Sequence, residues 1–147
     1  MIVFNAPEYS DYDKYFSNFA PSLITYDGDE YPTVEHAYQA QKATLDIVKK
    51  LIGEQSTPGR AKRMGRTINK RIDWAEIKYD VMVGCLREKF KIEEYREILL
   101  GTGDEEIVED ASEWDDQTWG RGKYGNGKNL LGKALMQVRE EINGVSK

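Results

Sequence analysis

The amino-acid sequence predicts an α+β fold that is mostly helical, with a small β-hairpin or sheet near the N-terminus. Apolar residues recur at three- and four-residue steps over several segments, which is the spacing of one buried helix face. Two short runs that flank an Asp-Gly pair lie within the first 31 residues, as in a hairpin. At 147 residues, without an internal repeat or a linker, the chain is expected to form a single domain over residues 1–147.

The predicted sheet lies at the start of the chain. Residues Ile2–Phe4 are a short apolar strand candidate. Leu23–Tyr26 and Glu30-Tyr31 flank Asp27-Gly28, a pair that suits the positive φ angles of a tight turn. These residues predict one hairpin, closed by Pro32.

The first helix is predicted to start after Thr33, which is a favourable N-cap residue. It is expected to run without interruption to about Leu51 or Ile52 and to end at Gly53. Its predicted apolar face consists of Val34, Tyr38, Leu45, Val48 and Ile52.

The middle of the chain predicts two further helices. Thr57-Pro58 opens a basic helix, because proline at the first helical position loses no hydrogen bond. Asp73 and Glu76 have the spacing of a capping box and open the next helix. Two alternative faces of that helix are candidates for burial. One is a rotated set that includes Met82 and Leu86, and the other consists of Trp74, Ile77, Val81, Cys85 and Phe90.

The last third predicts two helices around a long loop. A short helix covers Glu93–Leu100, and Ile107-Val108 is expected to be a buried strand or turn. Residues 110–128 form a loop whose length is typical of functional segments, and its two tryptophans favour order. The final helix begins near Asn129 and buries Leu131, Leu135, Val138 and Ile142.

The composition excludes several classes of protein. The chain holds 21 Lys plus Arg against 26 Asp plus Glu, a net charge of −5, which argues against general binding of duplex DNA. The single Cys85 and the single His36 exclude an internal disulfide framework and the common structural zinc sites. No apolar run approaches the roughly 20 residues of a membrane helix, and the N-terminal segment is acidic where a secretory signal is basic. We expect a soluble, cytoplasmic protein that does not bind membranes.

Charged and aromatic residues are segregated along the chain. Residues 60–71 contain six cations and no acid, and residues 104–116 contain eight acids and no base. These segments are either two solvated faces that attract each other weakly, or a phosphate-binding patch and a carboxylate-bearing loop that share a cleft. Nine of the sixteen aromatic residues lie within the first 38 positions, so some are expected in the core and others against a flat ligand.

The start of the first helix carries the strongest candidate for chemistry. Glu35, Gln39 and Lys42 are spaced to form one polar stripe, which is bordered by small residues and therefore suits a ligand groove. A carboxylate there can activate a water or protonate a leaving group. His36 is expected to be a packing or surface residue, and a Cys85–His36 nucleophile pair is disfavoured because Cys85 falls on a core face.

A glycine-rich segment before the final helix nearly matches a phosphate-binding loop. Its last position is Asn129 where such a loop needs Ser or Thr for magnesium, and the preceding residues are acidic, so we reject a nucleotide triphosphatase. Glycines there still allow backbone N–H groups to approach a phosphate or sugar closely. Gly120 and Asn129 are therefore candidate binding residues.

Six strings spread over nearly the whole chain carry a family resemblance. They are FSNF at Phe16–Phe19, YPTVEHAYQAQK at Tyr31–Lys42, AKRMGR at Ala61–Arg66, Asp73-Trp74, Lys89-Phe90, and Trp119-Gly120 followed by GNGKNLLGKALMQVR up to Arg139. Together they resemble the NADAR family, also called YbiA-like N-glycosidases. YPTVEHAYQAQK is the most specific of them.

The resemblance implies a hydrolase that cuts the N–C1′ bond of ribosides without a cofactor or a metal. Family members act on phosphoribosyl intermediates of riboflavin synthesis or on ADP-ribosyl groups. By motif, Glu35 matches the catalytic glutamate and Trp74 the active-site tryptophan, whereas Glu109 and Asp116 match acidic residues of the late loop. The second catalytic acid is left open between these two.

The expected ligand is a small phosphorylated riboside or ADP-ribose, with ADP-ribosylated nucleic acid as a further partner. Phosphate is expected to be held by the basic segment, through Arg60, Lys62, Arg63 or Arg66. Arg63 and Arg66 are the main candidates, because guanidinium binds phosphate bidentately. Asn18 is expected to bond a sugar hydroxyl or a base edge, and Trp119 to close over the ligand. The alternatives are a hydrolase of ADP-ribosylated bases or NAD-derived species, and a non-catalytic ADP-ribose-binding module.

Overall fold

The computed structural model describes residues 1–145, and within that range it contains seven helices and four short strands. This confirms the predicted α+β, mostly helical class. The chain divides into two compact units, one made of residues 1–17 with the residues from 90 onward and the other of residues 18–89. No helix within residues 1–145 is both long enough and apolar enough to cross a membrane.

The first unit joins the two ends of the chain through a parallel strand pair. β1 (Ile2–Phe4) pairs with β4 (Ile107–Glu109), with Val3 opposite Val108. The unit also contains α1 (Asp13–Phe16), which the sequence did not predict, α6 (Glu93–Gly101) and α7 (Leu130–Val145). α7 packs against both β4 and α6. The predicted strands and the two long helices of this unit are thereby confirmed.

Aromatic rings and one buried arginine hold the first unit together. The Phe16 ring lies with its centroid 5.7 Å from that of Phe4 and 6.3 Å from that of Phe90. Arg139 of α7 donates from Nη1 to Thr102 Oγ1 and to the Glu105 carbonyl oxygen, both at 2.8 Å. The buried guanidinium is therefore paired with oxygen acceptors that follow α6.

The second unit begins with the predicted hairpin. β2 (Ile24–Tyr26) pairs antiparallel with β3 (Asp29–Tyr31). The two turn residues, Asp27 and Gly28, have φ angles of 50° and 86°. Positive φ at both central positions defines the turn that matches the twist of paired strands, so the Asp-Gly signal is confirmed.

The second unit also contains four helices. They are α2 (Val34–Ala40), α3 (Asp46–Gly53), α4 (Pro58–Thr67) and α5 (Trp74–Lys89). α2 packs against the other three, and all seven of its residues are buried.

The predicted single helix from Thr33 to about Ile52 is wrong. The chain reverses between α2 and α3, and Leu45, which was expected on the buried face, is 61% exposed. His36 Nε2 lies 2.8 Å from the Gln55 carbonyl oxygen. In the predicted helix His36 and Ile52 would be about 24 Å apart along the axis, and Gln55, three residues later, could not reach back to His36. The Lys42 carbonyl, which a longer helix would use internally, accepts from the Arg71 N–H at 2.8 Å.

The helix start predicted at Thr57-Pro58 has the expected hydrogen bond, whereas the start of α5 does not. Thr57 Oγ1 accepts from the Arg60 N–H at 3.1 Å, and Pro58 is the first helical residue, as predicted. The capping box predicted at Asp73 and Glu76 is wrong. The Asp73 carboxylate receives two hydrogen bonds from Arg71 (2.6 and 3.0 Å), and the Glu76 N–H bonds to the Asp73 backbone oxygen instead of the side chain. α5 buries residues from both predicted faces: Trp74, Val81, Met82, Cys85 and Leu86.

Gly28→Ala tests the hairpin turn. A Cβ at this position would meet no atom within 4 Å, so its only cost is the positive φ of 86°. We expect a loss of about 1 kcal/mol in the free energy of unfolding, measured by urea denaturation. Gly101→Ala in α6 is the matched control, because it also has open space but no positive φ. Equal stability of the Gly28→Ala protein and the wild type would contradict this account.

Candidate active site

The site in the second unit is built on the first turn of α2. Thr33 Oγ1 accepts from the His36 N–H at 3.1 Å and so fixes where the helix begins. Glu35 stands in this first turn with 6% of its surface exposed. The N-cap therefore places a carboxylate inside the protein rather than on its surface.

His36 and Cys85 have structural surroundings. His36 Nε2 donates to the Gln55 carbonyl, since a carbonyl only accepts, and Nδ1 therefore accepts from Thr33 Oγ1 at 2.8 Å. Both ring nitrogens are satisfied, which confirms the predicted packing role. Burial raises the pKa of the Cys85 thiol strongly, and a thiol held neutral is a poor nucleophile.

Burial and nearby cations act in opposite directions on the Glu35 carboxyl. Burial raises its pKa above the ordinary value. In decreasing order, the Lys62 charge, a hydrogen bond from Gln39, and the charges of Lys42 and Arg66 lower the pKa and offset part of this effect. Gln39 Nε2 donates to Glu35 Oε1 at 3.3 Å.

Lys42 is a buried cation beside this carboxylate. It is 8% exposed, and its Nζ lies 5.7 Å from the centre of the Tyr38 ring. Burial is the main cause that lowers the pKa of Lys42 to about 8, and the positive charge of Lys70 adds to it. Glu35 acts in the opposite sense, because its negative charge favours the ammonium form.

Two of the four cations of α4, Lys62 and Arg66, act on the Glu35 carboxyl. Ala61 and Gly65 are the buried residues of this helix, and Lys62 and Arg66 each follow one of them. Both cations act on the Glu35 carboxyl, Lys62 the more strongly. Arg63 and Arg66 are both exposed, and the phosphate contacts predicted for them stay predictions. Lys62 was one of the four cations considered for phosphate, and its four-residue spacing from Arg66 places the two on one side of the helix.

Two aromatic side chains and two amide side chains border the same site. The Trp74 ring, 6% exposed, lies with its centroid 5.1 Å from that of Tyr38. Asn18 accepts the Glu35 N–H on its backbone oxygen at 3.1 Å. Within residues 1–145, Asn18 Oδ1 and Gln39 Oε1 are buried side-chain atoms without a hydrogen-bond partner. The Asn18 oxygen can accept a hydrogen bond from a ligand, whereas the Gln39 oxygen lies against Gly65 of α4.

The remaining predicted residues lie in the first unit. Glu109 is buried and its Oε2 accepts from Asn5 Nδ2 at 2.8 Å. The side chain of Asn129 bonds to both end residues of β4, accepting from the Glu109 N–H at 2.9 Å and donating to the Ile107 carbonyl at 3.0 Å. Asn129 therefore anchors the start of α7 to the strand.

The long loop of this unit is cross-linked by hydrogen bonds. Asp116 Oδ1 accepts from the N–H groups of Thr118 and Trp119 at 2.9 and 2.8 Å, so it shapes the turn that carries Trp119. Gly120 accepts the Asn129 N–H, and a Cβ at Gly120 would lie 2.5 Å from that of Ala111. The catalytic role of Asp116 and the ligand-closing role of Trp119 stay predictions.

Each unit thus gathers part of the predicted set. The second unit brings together Asn18, Glu35, Gln39, Lys42, Arg66 and Trp74, with Lys62 and Tyr38 added. The first unit holds Glu109, Asp116, Trp119, Gly120 and Asn129. Over the described range 1–145, no three His, Cys, Asp or Glu side chains are grouped as metal ligands.

Comparisons with known proteins show the family of this chain. The NADAR domain model matches residues 3–143. N-glycosidase YbiA of Escherichia coli K12 is 42% identical over 139 residues, which cover 91% of this chain and 86% of that protein. An N-glycosidase of Nostoc punctiforme is 40% identical over 136 residues, with 88% and 86% covered.

Two further comparisons extend this result. A riboflavin biosynthesis protein of Vibrio vulnificus is 37% identical over 131 residues, which cover 87% of this chain but 35% of that protein. The NMR structure of Escherichia coli YbiA superposes with a TM-score of 0.85 at 38% identity, covering 99% of this chain and 87% of that one. The family resemblance predicted from the six strings is confirmed.

Proposed function

The chain belongs to the NADAR domain family and hydrolyses N-glycosyl bonds, and we propose that it cuts the N–C1′ bond of a phosphorylated riboside and releases ribose 5-phosphate. The observation that carries this proposal is the buried Glu35 carboxyl, set among more cations than it neutralises. A site with one buried carboxylate and surplus positive charge suits a sugar that bears a phosphate.

Glu35 is proposed to act at the sugar carbon. When the N–C1′ bond breaks, its electron pair leaves with the base, and positive charge builds on the ring. A carboxylate next to C1′ stabilises this charge and takes a proton from the water that attacks C1′. The departing nitrogen receives a proton from an acid, and the family resemblance keeps Glu109 and Asp116 as the candidates.

The cations around Glu35 are proposed to hold the phosphate. Lys42, Lys62 and Arg66 oppose one carboxylate, and the lowered pKa of Lys42 reflects burial together with mutual repulsion of positive charges. A phosphate dianion would neutralise this surplus and favour the charged form of Lys42.

Other groups are proposed to bind the base and the sugar. Trp74 or its neighbour Tyr38 offers a ring on which a flat heterocycle can stack. The unpartnered Oδ1 of Asn18 offers an acceptor to a sugar hydroxyl. The name of the Vibrio vulnificus relative supports a riboside of riboflavin biosynthesis as the substrate.

Glu35→Gln is the direct test of this function. The variant keeps the shape of the side chain and removes its charge, so kcat for release of the base from a phosphorylated riboside is expected to fall by roughly 10²–10⁴. Circular dichroism and thermal unfolding check that the fold is unchanged. Activity within threefold of the wild type would remove Glu35 from the mechanism. An ADP-ribosylated base assayed in parallel distinguishes the alternative substrate class.

The double variant Lys62→Gln/Arg66→Gln tests phosphate binding. We expect KM for the phosphorylated riboside to rise by roughly 10- to 100-fold, because two charged hydrogen-bond donors are lost, and KM for its dephosphorylated form to change little. Lys49→Gln/Lys50→Gln removes two cations from α3 and is the matched control. An equal rise with both substrates would show that the patch does not recognise phosphate.

The pH dependence of binding tests Lys42. The pKa of Lys42 is about 8 in the free protein, and a bound phosphate would raise this pKa. Above pH 8 the bound protein therefore keeps a proton that the free protein has lost. Affinity is therefore expected to fall by up to about tenfold per pH unit above 8. Lys42→Arg keeps its charge and should abolish the fall. The same pH slope in both proteins, measured by calorimetry with ribose 5-phosphate, would refute this assignment.

A further inference from the structure

Gln39 makes a contact that the chemistry proposed above does not use. It follows Glu35 by one turn on the short helix α2 and is 4% exposed. Its Nε2 donates to Glu35 Oε1 at 3.3 Å, a bond to one of the two carboxylate oxygens. A hydrogen bond to a single oxygen restricts the rotation of the carboxylate and leaves the second oxygen to another partner.

The opposite side of the Gln39 amide lies against the backbone of α4. A Cβ built at Gly65 would overlap Gln39 Oε1 and would lie 2.9 Å from Gln39 Cδ and 3.2 Å from its Cβ. The amide therefore occupies the space that any side chain at position 65 would need. Because Gly65 has no side chain, this space is open to the amide that contacts Glu35.

The orientation of the amide is set by the charge of its neighbour. An ionised carboxylate only accepts, so the Nε2 of Gln39 must face Glu35 and Oε1 must face Gly65. Within the described residues 1–145, that oxygen has no hydrogen-bond partner. A buried acceptor without a partner is unfavourable. The hydrogen bond from the same amide to Glu35 offsets this free-energy cost.

We propose that Gln39 is a positioning residue that fixes the Glu35 carboxylate by one oxygen and leaves the other oxygen for the riboside, and that Gly65 provides the space this requires. The inference rests on the proposed function, because it assigns a purpose to the orientation of Glu35. It differs from the direct ligand contact predicted for Gln39 from the sequence.

Gln39→Met tests the proposal, since methionine has a similar length but no donor. Loss of a bond that favours the charged form raises the pKa of Glu35. The acid limb of kcat/KM against pH should therefore move upward by about half a unit to one unit. We expect kcat to fall about tenfold, while KM for the phosphorylated riboside changes less than threefold. A substrate-binding role would instead raise KM and leave the acid limb in place.

Gly65→Ala provides an independent test through the backbone of α4. The added Cβ displaces the amide, so both the fall in kcat and the shift of the acid limb should recur. Gly59→Ala on the same helix is the matched control, because its Cβ would make ordinary contacts of 3.9 Å with Thr57 and 4.0 Å with Phe19. That variant should behave as the wild type.

The outcomes separate this proposal from the proposed function. Wild-type kcat and an unmoved acid limb in Gln39→Met, with Glu35→Gln inactive, would overturn the positioning role alone. Full activity of Glu35→Gln would overturn the function itself. If Gly65→Ala fails to fold by circular dichroism, Gln39→Met decides the question.

Discussion

The burial of the Glu35 carboxylate is the constraint on which the second unit depends. A charge taken out of water is costly unless cations and hydrogen-bond donors replace the lost solvent. Here Lys62 and Arg66 on α4 supply charge, and Gln39 supplies a donor. The same low-dielectric surroundings strengthen each of these interactions, so the arrangement that stabilises the carboxylate also makes it an effective electrostatic partner for a developing positive charge.

Local signals predicted most of the elements, and long-range contacts explain the main error. Thr33 and Thr57 cap helices by bonding to N–H groups three residues later, so their effect is contained in a few residues. The reversal after Ala40 has no such signal, because residues 34–52 contain neither glycine nor proline. The turn is instead bonded to a distant segment: the backbone N–H of Arg71, between α4 and α5, donates to the Lys42 carbonyl.

The site was predictable where two residues share one short helix. The four-residue spacing of Glu35 and Gln39 places them in contact, as the polar stripe predicted. Lys42 reaches Glu35 from the turn after α2 rather than along a continuous helix. Which cation of the basic segment faces the carboxyl depends on how α4 packs, and the burial of Gly65 was not evident from its sequence neighbours.

The surplus of positive charge shows how the unit balances stability against binding. The pKa of Lys42 is about 8 when folded and 10.5 in an exposed reference. Between pH 8 and pH 10.5 Lys42 binds more protons in the unfolded chain than in the folded chain. The free energy of unfolding therefore rises with pH over this range. Below pH 8 Lys42 is charged in both states, and the full cost of burying its charge lowers the free energy of unfolding. At neutral pH the buried charge of Lys42 therefore destabilises the second unit, and a bound anion would neutralise this charge. A cost of this kind is retained where function requires it, and it favours a phosphate ligand over a neutral one.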